Sequence, residues 1–354
     1  MRETVISTGD PVPQDGGREA GPAAAAAQIA IPVSIEASRA QAPSARSGPI
    51  LVTGSHRSGS TWVGNVLALA PRTGYVHEPF NTKTRAGVCD VRFPSDFFRV
   101  TAGNEGPYYP PLRATLDWRY AFGPEARSLR TPRDAARMAR DLAYFETKRR
   151  QGARVIMKDP LALFSAEWLS DRFDMPVVVI IRHPAAFVAS LIAANWVRFP
   201  FRILRDQEQL CAERLAPFRD EIAAAAENHP DPVGVGVLLW RAIHHHIRLL
   251  QQERPDWIFV RHEDLSREPV EAYREVYRRL GLPFGPETAE RIATMTGQDG
   301  GMAALSIFGT RRRTVRNSLD NIAYFKKRLT PEQIARIRAE TADVWPAFYS
   351  EEEW

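Results

Sequence analysis

The sequence predicts a single α/β domain in three layers, with helices on both faces of a central parallel sheet, behind a disordered N-terminal tail. Three observations predict it. Short apolar β-branched runs alternate with helical patterns along most of the chain, and strands separated by helices make parallel βαβ units. One run, Val177-Val178-Val179-Ile180-Ile181, is apolar throughout, as expected of a strand covered on both faces. Before Pro49 lie runs of Ala, Pro, Gly and Ser, with no sustained period and no aromatic ahead of Trp62. Such a composition buries too little apolar surface to offset chain entropy. The expected boundaries are therefore a tail over 1–47 and one domain over 48–354.

The elements follow in order. Ile50 to Thr53 is a short β-branched strand that leads through a glycine turn into a helical pattern from Thr61 to Leu69. Gly74 to His77 is a second strand. Residues 81–130 are rich in Pro, Gly, Arg and aromatics without a clear period, and are expected to form an irregular, structured insertion. Thr131 as N-cap and Pro132 at the first helical position start a helix that runs to Arg149. A strand from Arg154 to Met157, a helix near Leu161 to Arg172, the strand Val177 to Ile181 and a helix from Pro184 to Asn195 come next. Further helices reach about Gln252, a strand spans Trp257 to Val260, and the remainder reads as helix and loop. In such sheets ligands sit at the carboxyl ends of the strands.

Composition narrows the function classes. Hydrophobic residues at 44% and charged residues at 25% fit a globular chain with a large core. Two cysteines, Cys89 and Cys211, exclude a disulfide scaffold and a thiolate-built zinc site. The formal charge of +5 suits an anionic ligand if it is focused. No run approaches the ~18 apolar residues of a membrane span, and Ala23 to Ile35 lacks the flanks of a signal peptide. A cytoplasmic location is the expectation.

The first strand opens into Gly54-Ser55-His56-Arg57-Ser58-Gly59-Ser60-Thr61. Gly54 and Gly59 have the spacing of the glycines in G-x-x-x-x-G-K-[ST], but Ser60 stands where the lysine belongs. A glycine turn feeding a helix still offers backbone N–H groups and a positive helix end to an anion. Ser58, Ser60 and Thr61 add hydroxyls, and Arg57 adds a cation. Losing the lysine that bridges β- and γ-phosphates disfavours NTPase and kinase chemistry. The plain alternative is a Ser- and Gly-rich turn with no ligand. A second loop follows Val177–Ile181, where Arg182 sits just past the strand and Ser190 about two turns along the next helix. Arg suits phosphate because its planar fork binds two oxygens.

Together these loops resemble those of sulfotransferases that use 3′-phosphoadenosine 5′-phosphosulfate (PAPS). His56-Arg57-Ser58-Gly59-Ser60-Thr61-Trp62 is similar to the family's 5′-phosphosulfate loop, with Arg57 in place of the cytosolic members' lysine. Arg182 and Ser190 match the 3′-phosphate motif and its eight-residue offset. Arg261-His262-Glu263-Asp264-Leu265 is similar to a recurring Arg-Tyr-Glu-Asp-Leu segment, with His262 departing from Tyr. The resemblance runs from about Ile50 to the C-terminus and leaves 81–130 unmatched. It implies a P-loop-NTPase-like three-layer α/β/α fold and transfer of a sulfuryl group from PAPS, without metal, to a hydroxyl or amine of a carbohydrate, lipid-linked or small-molecule acceptor.

The resemblance also implies roles. Arg57 would stabilise the leaving phosphate, and Ser58, Gly59, Ser60, Thr61, Arg182 and Ser190 would hold the nucleotide. Trp62 matches the position that stacks the adenine, a core tryptophan being the other reading. Lys158 matches a lysine that approaches the transferred sulfate; otherwise it pairs with Asp159. His77-Glu78-Pro79-Phe80 is similar to a Glu-Pro segment of carbohydrate and bacterial members. Glu78 is thus the preferred general base, with His77 and Asp159 as alternatives; failing that, Glu78 holds a loop arginine. The Lys-Thr-His pattern of cytosolic members is absent, since Pro160 stands two positions after Lys158.

Between Arg311 and Arg328 seven basic residues meet one acid, Asp320. Most of that run reads as a solvated face, with Arg316 as the one expected nucleotide contact. His244-His245-His246 points in three directions on a helix and lacks metal-ligand spacing. Tyr108, Tyr109, Trp118, Tyr120, Phe199 and Phe201 are acceptor-stacking or core residues. No interleaving of aromatic and basic residues suggests nucleic acid. A nucleotide-dependent kinase or NTPase of related fold and a non-catalytic anion-binding module are the competing readings.

Overall fold

The computed structural model describes residues 44, 46–296 and 322–354. The expected tail over 1–47 lies almost wholly outside them, as do Arg316 and the arginines at 311–313. Ser44, Arg46 and Ser47 are held to the domain: Ser44 N–H donates to the Arg279 carbonyl at 2.8 Å, and Arg46 pairs with Asp171 at 3.1 Å.

Five parallel strands form one sheet in the order β2-β3-β1-β4-β5. They are β1 (Ile50–Gly54), β2 (Thr73–His77), β3 (Arg154–Lys158), β4 (Val177–Ile181) and β5 (Ile258–Arg261). Alternate residues of each strand face opposite sides, and both sides are covered. Leu51, Val76, Val155, Met157, Val177, Val179 and Ile181 enter one core cluster. Ile50, Val52, Tyr75, Ile156, Val178, Ile180, Ile258 and Val260 enter the other. This double burial explains the unbroken apolar run of β4 and makes the architecture three layers, α/β/α.

The helices are α1 (Ser60–Leu67), α2 (Tyr109–Leu116), α3 (Phe122–Ser128), α4 (Pro132–Arg150), α5 (Ala166–Phe173), α6 (Pro184–Ala193), α7 (Arg202–Arg205), α8 (Glu208–Glu213), α9 (Arg219–Glu227) and α10 (Pro232–Glu253). After β5 come α11 (His262–Arg267), α12 (Pro269–Leu280), α13 (Pro286–Thr296) and α14 (Pro331–Glu340). Thr131 and Asp134 cap α4 reciprocally: each side chain bonds the other's backbone N–H, at 3.2 and 3.0 Å. The expected helix near 161–172 begins instead as a 3₁₀ turn, Pro160–Ser165, and becomes α-helical only from Ala166. Asp159 caps that turn by accepting the Leu161 N–H at 3.0 Å.

Segment 81–130 is structured, with two short helices inside it. Phe93, Phe97, Val100, Leu112, Leu116 and Trp118 join the larger core. Tyr108, Trp118 and Phe201 are buried, and Tyr109, Tyr120 and Phe199 pack partly buried against the same cluster. The six aromatics singled out for an acceptor thus serve the core. The three consecutive histidines diverge as helix geometry requires: His244 stacks on Trp240, His245 meets Phe218 and His246 meets Phe164.

Candidate functional site

Because all strands run the same way, their carboxyl ends form one row. Along it lie His77-Glu78 after β2, Lys158-Asp159 after β3, the 54–59 loop after β1, Arg182 after β4 and His262-Glu263 after β5. The register sets His77 and Val52 on either side of Lys158.

The loop after β1 bends at Gly54 (φ 129°) and Gly59 (φ 94°), with Arg57 left-handed at φ 65°. Gly59 is the N-cap of α1 and gives it no side-chain cap, so the amide groups of the first turn face the loop rather than a capping oxygen. Ser55 and Ser58 are fully buried, and their hydroxyls have no hydrogen-bond partner among the described residues. Buried hydroxyls without partners are costly. Beside free helix-end amides they fit an anion's oxygens. A Cβ on Gly59 would lie 2.7 Å from His262 Nδ1, so only glycine lets the loop pass that ring.

Arg57 joins the two sequence motifs. Its Nε donates to Ser190 Oγ at 3.1 Å, across 133 residues of chain. Its guanidinium lies 5.6 Å from the Trp196 ring, which is 53% exposed and stacks over buried His56. Burial, then the Arg57 charge, pushes His56 down to about 3, so this ring is neutral near pH 7. Arg182 is half-buried, and its carbonyl accepts the Trp240 indole N–H at 2.8 Å. Thr61 is exposed, Ser60 buried, and Trp62 packs half-buried against the α1 side of the core.

On the other side of the loop, Lys158 is 1% exposed and forms a short ion pair with Glu78 Oε1. Its side chain runs beneath α1, where a Cβ on Gly64 would meet Lys158 Cβ at 3.1 Å. Glu78 has φ 47°, a conformation rare for a non-glycine residue, and Asn81 Nδ2 donates to its Oε2 at 2.9 Å. Burial would raise the Glu78 carboxyl. Lys158, His77 and the hydrogen bonds from Lys158 and Asn81 outweigh it and hold the group below the usual carboxylate range. His77 lies 3.8 Å from Glu78 Oε2 and contacts the Tyr75 hydroxyl at 3.2 Å. Burial and the Lys158 charge push it down to about 4.

Asp159 does not face the same space. Its carboxylate accepts the Phe80 N–H at 2.6 Å and the Leu161 N–H at 3.0 Å, and the residue is fully buried. Burial, then the Glu78 charge, pushes it up to about 8. It ties the strand ends together and has no free face for an acceptor, so its candidacy as the base lapses. The alternative pairing of Lys158 with Asp159 gives way to Lys158–Glu78.

Some residues at the site carry no sequence signal. Trp196 follows the end of α6 in a segment without period. Tyr349 reaches the loops only through the tertiary fold, whereas His262 and Glu263 belong to the 261–265 segment that the sequence marks by its resemblance. Lys326 and Arg328, from the described end of the basic run, are exposed.

A profile described as the Sulfotransferase family matches residues 49–286. The chain belongs to the sulfotransferase family. Mouse carbohydrate sulfotransferase 3 is 27% identical over 134 residues, 35% of this chain and 24% of that protein. Human carbohydrate sulfotransferase 2 is 22% identical over 199 residues, 52% of this chain and 36% of that protein. This sulfotransferase therefore matches about a third or less of the length of those relatives. Among solved structures, the sulfotransferase domain from the Synechococcus PCC 7002 olefin synthase has a TM-score of 0.43 at 16% identity, covering 85% of this chain and 96% of that one. Mouse sulfotransferase SULT7A1 complexed with PAP has a TM-score of 0.42 at 12% identity, covering 86% and 85%.

Proposed function

We propose that this sulfotransferase moves a sulfuryl group from PAPS to an acceptor hydroxyl, with a carbohydrate as the first acceptor class to test. The observation that carries the proposal is the Arg57–Ser190 hydrogen bond at 3.1 Å. It ties the loop after β1 to the helix after β4, the two segments that this reading assigns to one doubly phosphorylated nucleotide. The unpartnered Ser55 and Ser58 hydroxyls and the α1 amides suit the 5′ end, and Arg182 with Ser190 suits the 3′-phosphate. Ser60 in place of the P-loop lysine disfavours a kinase.

Transfer needs little covalent help from the protein. The bond between sulfur and the bridging phosphate oxygen breaks, a bond from the acceptor oxygen to sulfur forms, and the hydroxyl proton passes to Glu78. Arg57 and the loop amides face the charge that collects on the leaving phosphate, where fixed donors are most effective. Lys158 serves the transferred group and keeps Glu78 ionised. His77, neutral and beside Glu78, is the reserve base. Arg316 remains a proposed nucleotide contact.

Thermal unfolding with adenosine 3′,5′-bisphosphate in chelator tests the donor site: stabilisation is expected without metal, and none would sink the reading. Radiolabelled PAPS with a panel of glycans then tests the acceptor class. Tight bisphosphate binding with no transfer to any acceptor would favour an anion-binding module instead.

A further inference from the structure

We propose that Glu263, held by Tyr349, is the positioning residue that aims Arg182 at the donor's 3′-phosphate. The start of α11, directly after β5, would then set how sharply the site separates 3′-phosphorylated nucleotides from others. The inference rests on the PAPS reading above and extends it to residues that touch no ligand.

The geometry lies in one peptide group. The carbonyl of Arg182 accepts the Trp240 indole N–H at 2.8 Å, and the N–H of the same peptide unit, that of His183, donates to Glu263 Oε1 at 3.3 Å. Trp240 is 0% exposed and Glu263 3%. A peptide plane gripped at both ends by buried side chains fixes the direction in which the Arg182 side chain leaves the backbone. Glu263 is itself fixed, because its Oε2 accepts the Tyr349 hydroxyl at 2.9 Å. Burial pushes the Glu263 carboxyl up, and Arg182 is the first of the influences that oppose it. The two charges are therefore coupled as well as mechanically linked.

Tyr349 is well anchored. His183 packs edge-on against it with ring centroids 5.0 Å apart, and the Arg261 guanidinium lies 5.3 Å from its ring. Arg261 also bonds the Phe348 carbonyl at 3.1 Å and Asp264 at 2.7 Å. On its other side the same junction puts the His262 ring against Gly59, where a Cβ would lie 2.7 Å from Nδ1. The β5–α11 junction, Arg261 to Glu263, thus braces both phosphate loops. A purely structural brace would affect every nucleotide alike. A brace aimed through Arg182 affects only ligands with a 3′-phosphate.

The test compares calorimetric binding of adenosine 3′,5′-bisphosphate and adenosine 5′-monophosphate to wild type, Tyr349→Phe, Glu263→Ala and Glu263→Gln. We expect Tyr349→Phe and Glu263→Ala to weaken bisphosphate binding by about tenfold or more, the scale of a charge-assisted contact. Monophosphate binding should change by less than about twofold. Glu263→Gln keeps an acceptor for the His183 N–H and should recover part of the loss. Equal losses for both ligands, or no loss, would overturn the inference. Should Glu263→Ala fail to fold, Tyr349→Phe removes only one oxygen and carries the test. A wild type that binds both nucleotides equally would overturn the PAPS reading as well, which separates the two failures.

Discussion

A lysine that is 1% exposed is rarely tolerated unless paired, and Lys158 meets that condition through its ion pair with Glu78. Removing one member of a buried pair typically costs about 3–5 kcal/mol because the other charge is left uncompensated. Lys158→Met should therefore lower stability by roughly that amount, read by urea unfolding at pH 7. It should also move the acid limb of the pH–rate profile upward. With Lys158 gone, burial dominates at Glu78 and its carboxyl rises instead of falling. Glu78→Gln removes the other member, at a similar cost in stability, and tests the chemistry directly. If Glu78 is the base, kcat should drop by about 10²–10⁴ while bisphosphate affinity holds. An unchanged kcat would transfer the role to His77. None of this pairing could be read from the chain: Glu78 and Lys158 lie 80 residues apart, and only the β2–β3 register brings them together.

At the scale of elements, the loop between β1 and α1 depends on a backbone shape that side chains resist. Gly59→Ala would place a methyl at φ 94° and 2.7 Å from the His262 ring. A strained backbone of this kind costs about 1–3 kcal/mol, so the melting temperature and donor affinity should fall together. Gly106→Ala, in open space, should change neither. Thr131→Ala offers the opposite contrast: losing the cap of α4 should cost about 1 kcal/mol and leave nucleotide binding intact. The strands and the long helix α4 were legible because β-branched runs, caps and N-terminal prolines act locally. Helices α2 and α3 were not. Tyr109-Pro110-Pro111 and Phe122-Gly123-Pro124 are poor helical starts, and α3 is stabilised from outside. Glu125 accepts the Gly87 N–H at 2.8 Å and the Arg85 Nε–H at 2.7 Å. That the 54–61 loop and the 182–190 segment lie at the same edge of the sheet was legible, since each begins at a strand end, whereas Trp196 and Tyr349 were not, because no local pattern records which loop a side chain leans on.

For the molecule as a whole, four buried histidines make acid the weak flank. Burial foremost pushes His56, His183, His244 and His246 down to about 3 each. The unfolded chain takes up those protons near pH 6.5 and the folded one does not. Their contribution is present above that value and is lost as pH falls toward about 3. At pH 5 the loss is about 2 kcal/mol per histidine on the ordinary linkage scale. Asp159 acts the other way: raised to about 8, it lets stability slip as pH climbs toward that value. Urea midpoints at pH 5, 6, 7 and 9 should peak near neutrality, with the steeper fall on the acid side. A flat profile from pH 5 to 7 would show that these rings charge in place.

The buried serines and open amides beside Arg57 also bear on how the protein is handled. On the proposed reading this cradle is assembled for one oxyanion, and it has little means of refusing another of the same shape. Inorganic sulfate or phosphate at preparative concentrations should settle there and mask the nucleotide. Chloride-based, sulfate-free buffers are the conditions in which its true affinity will show.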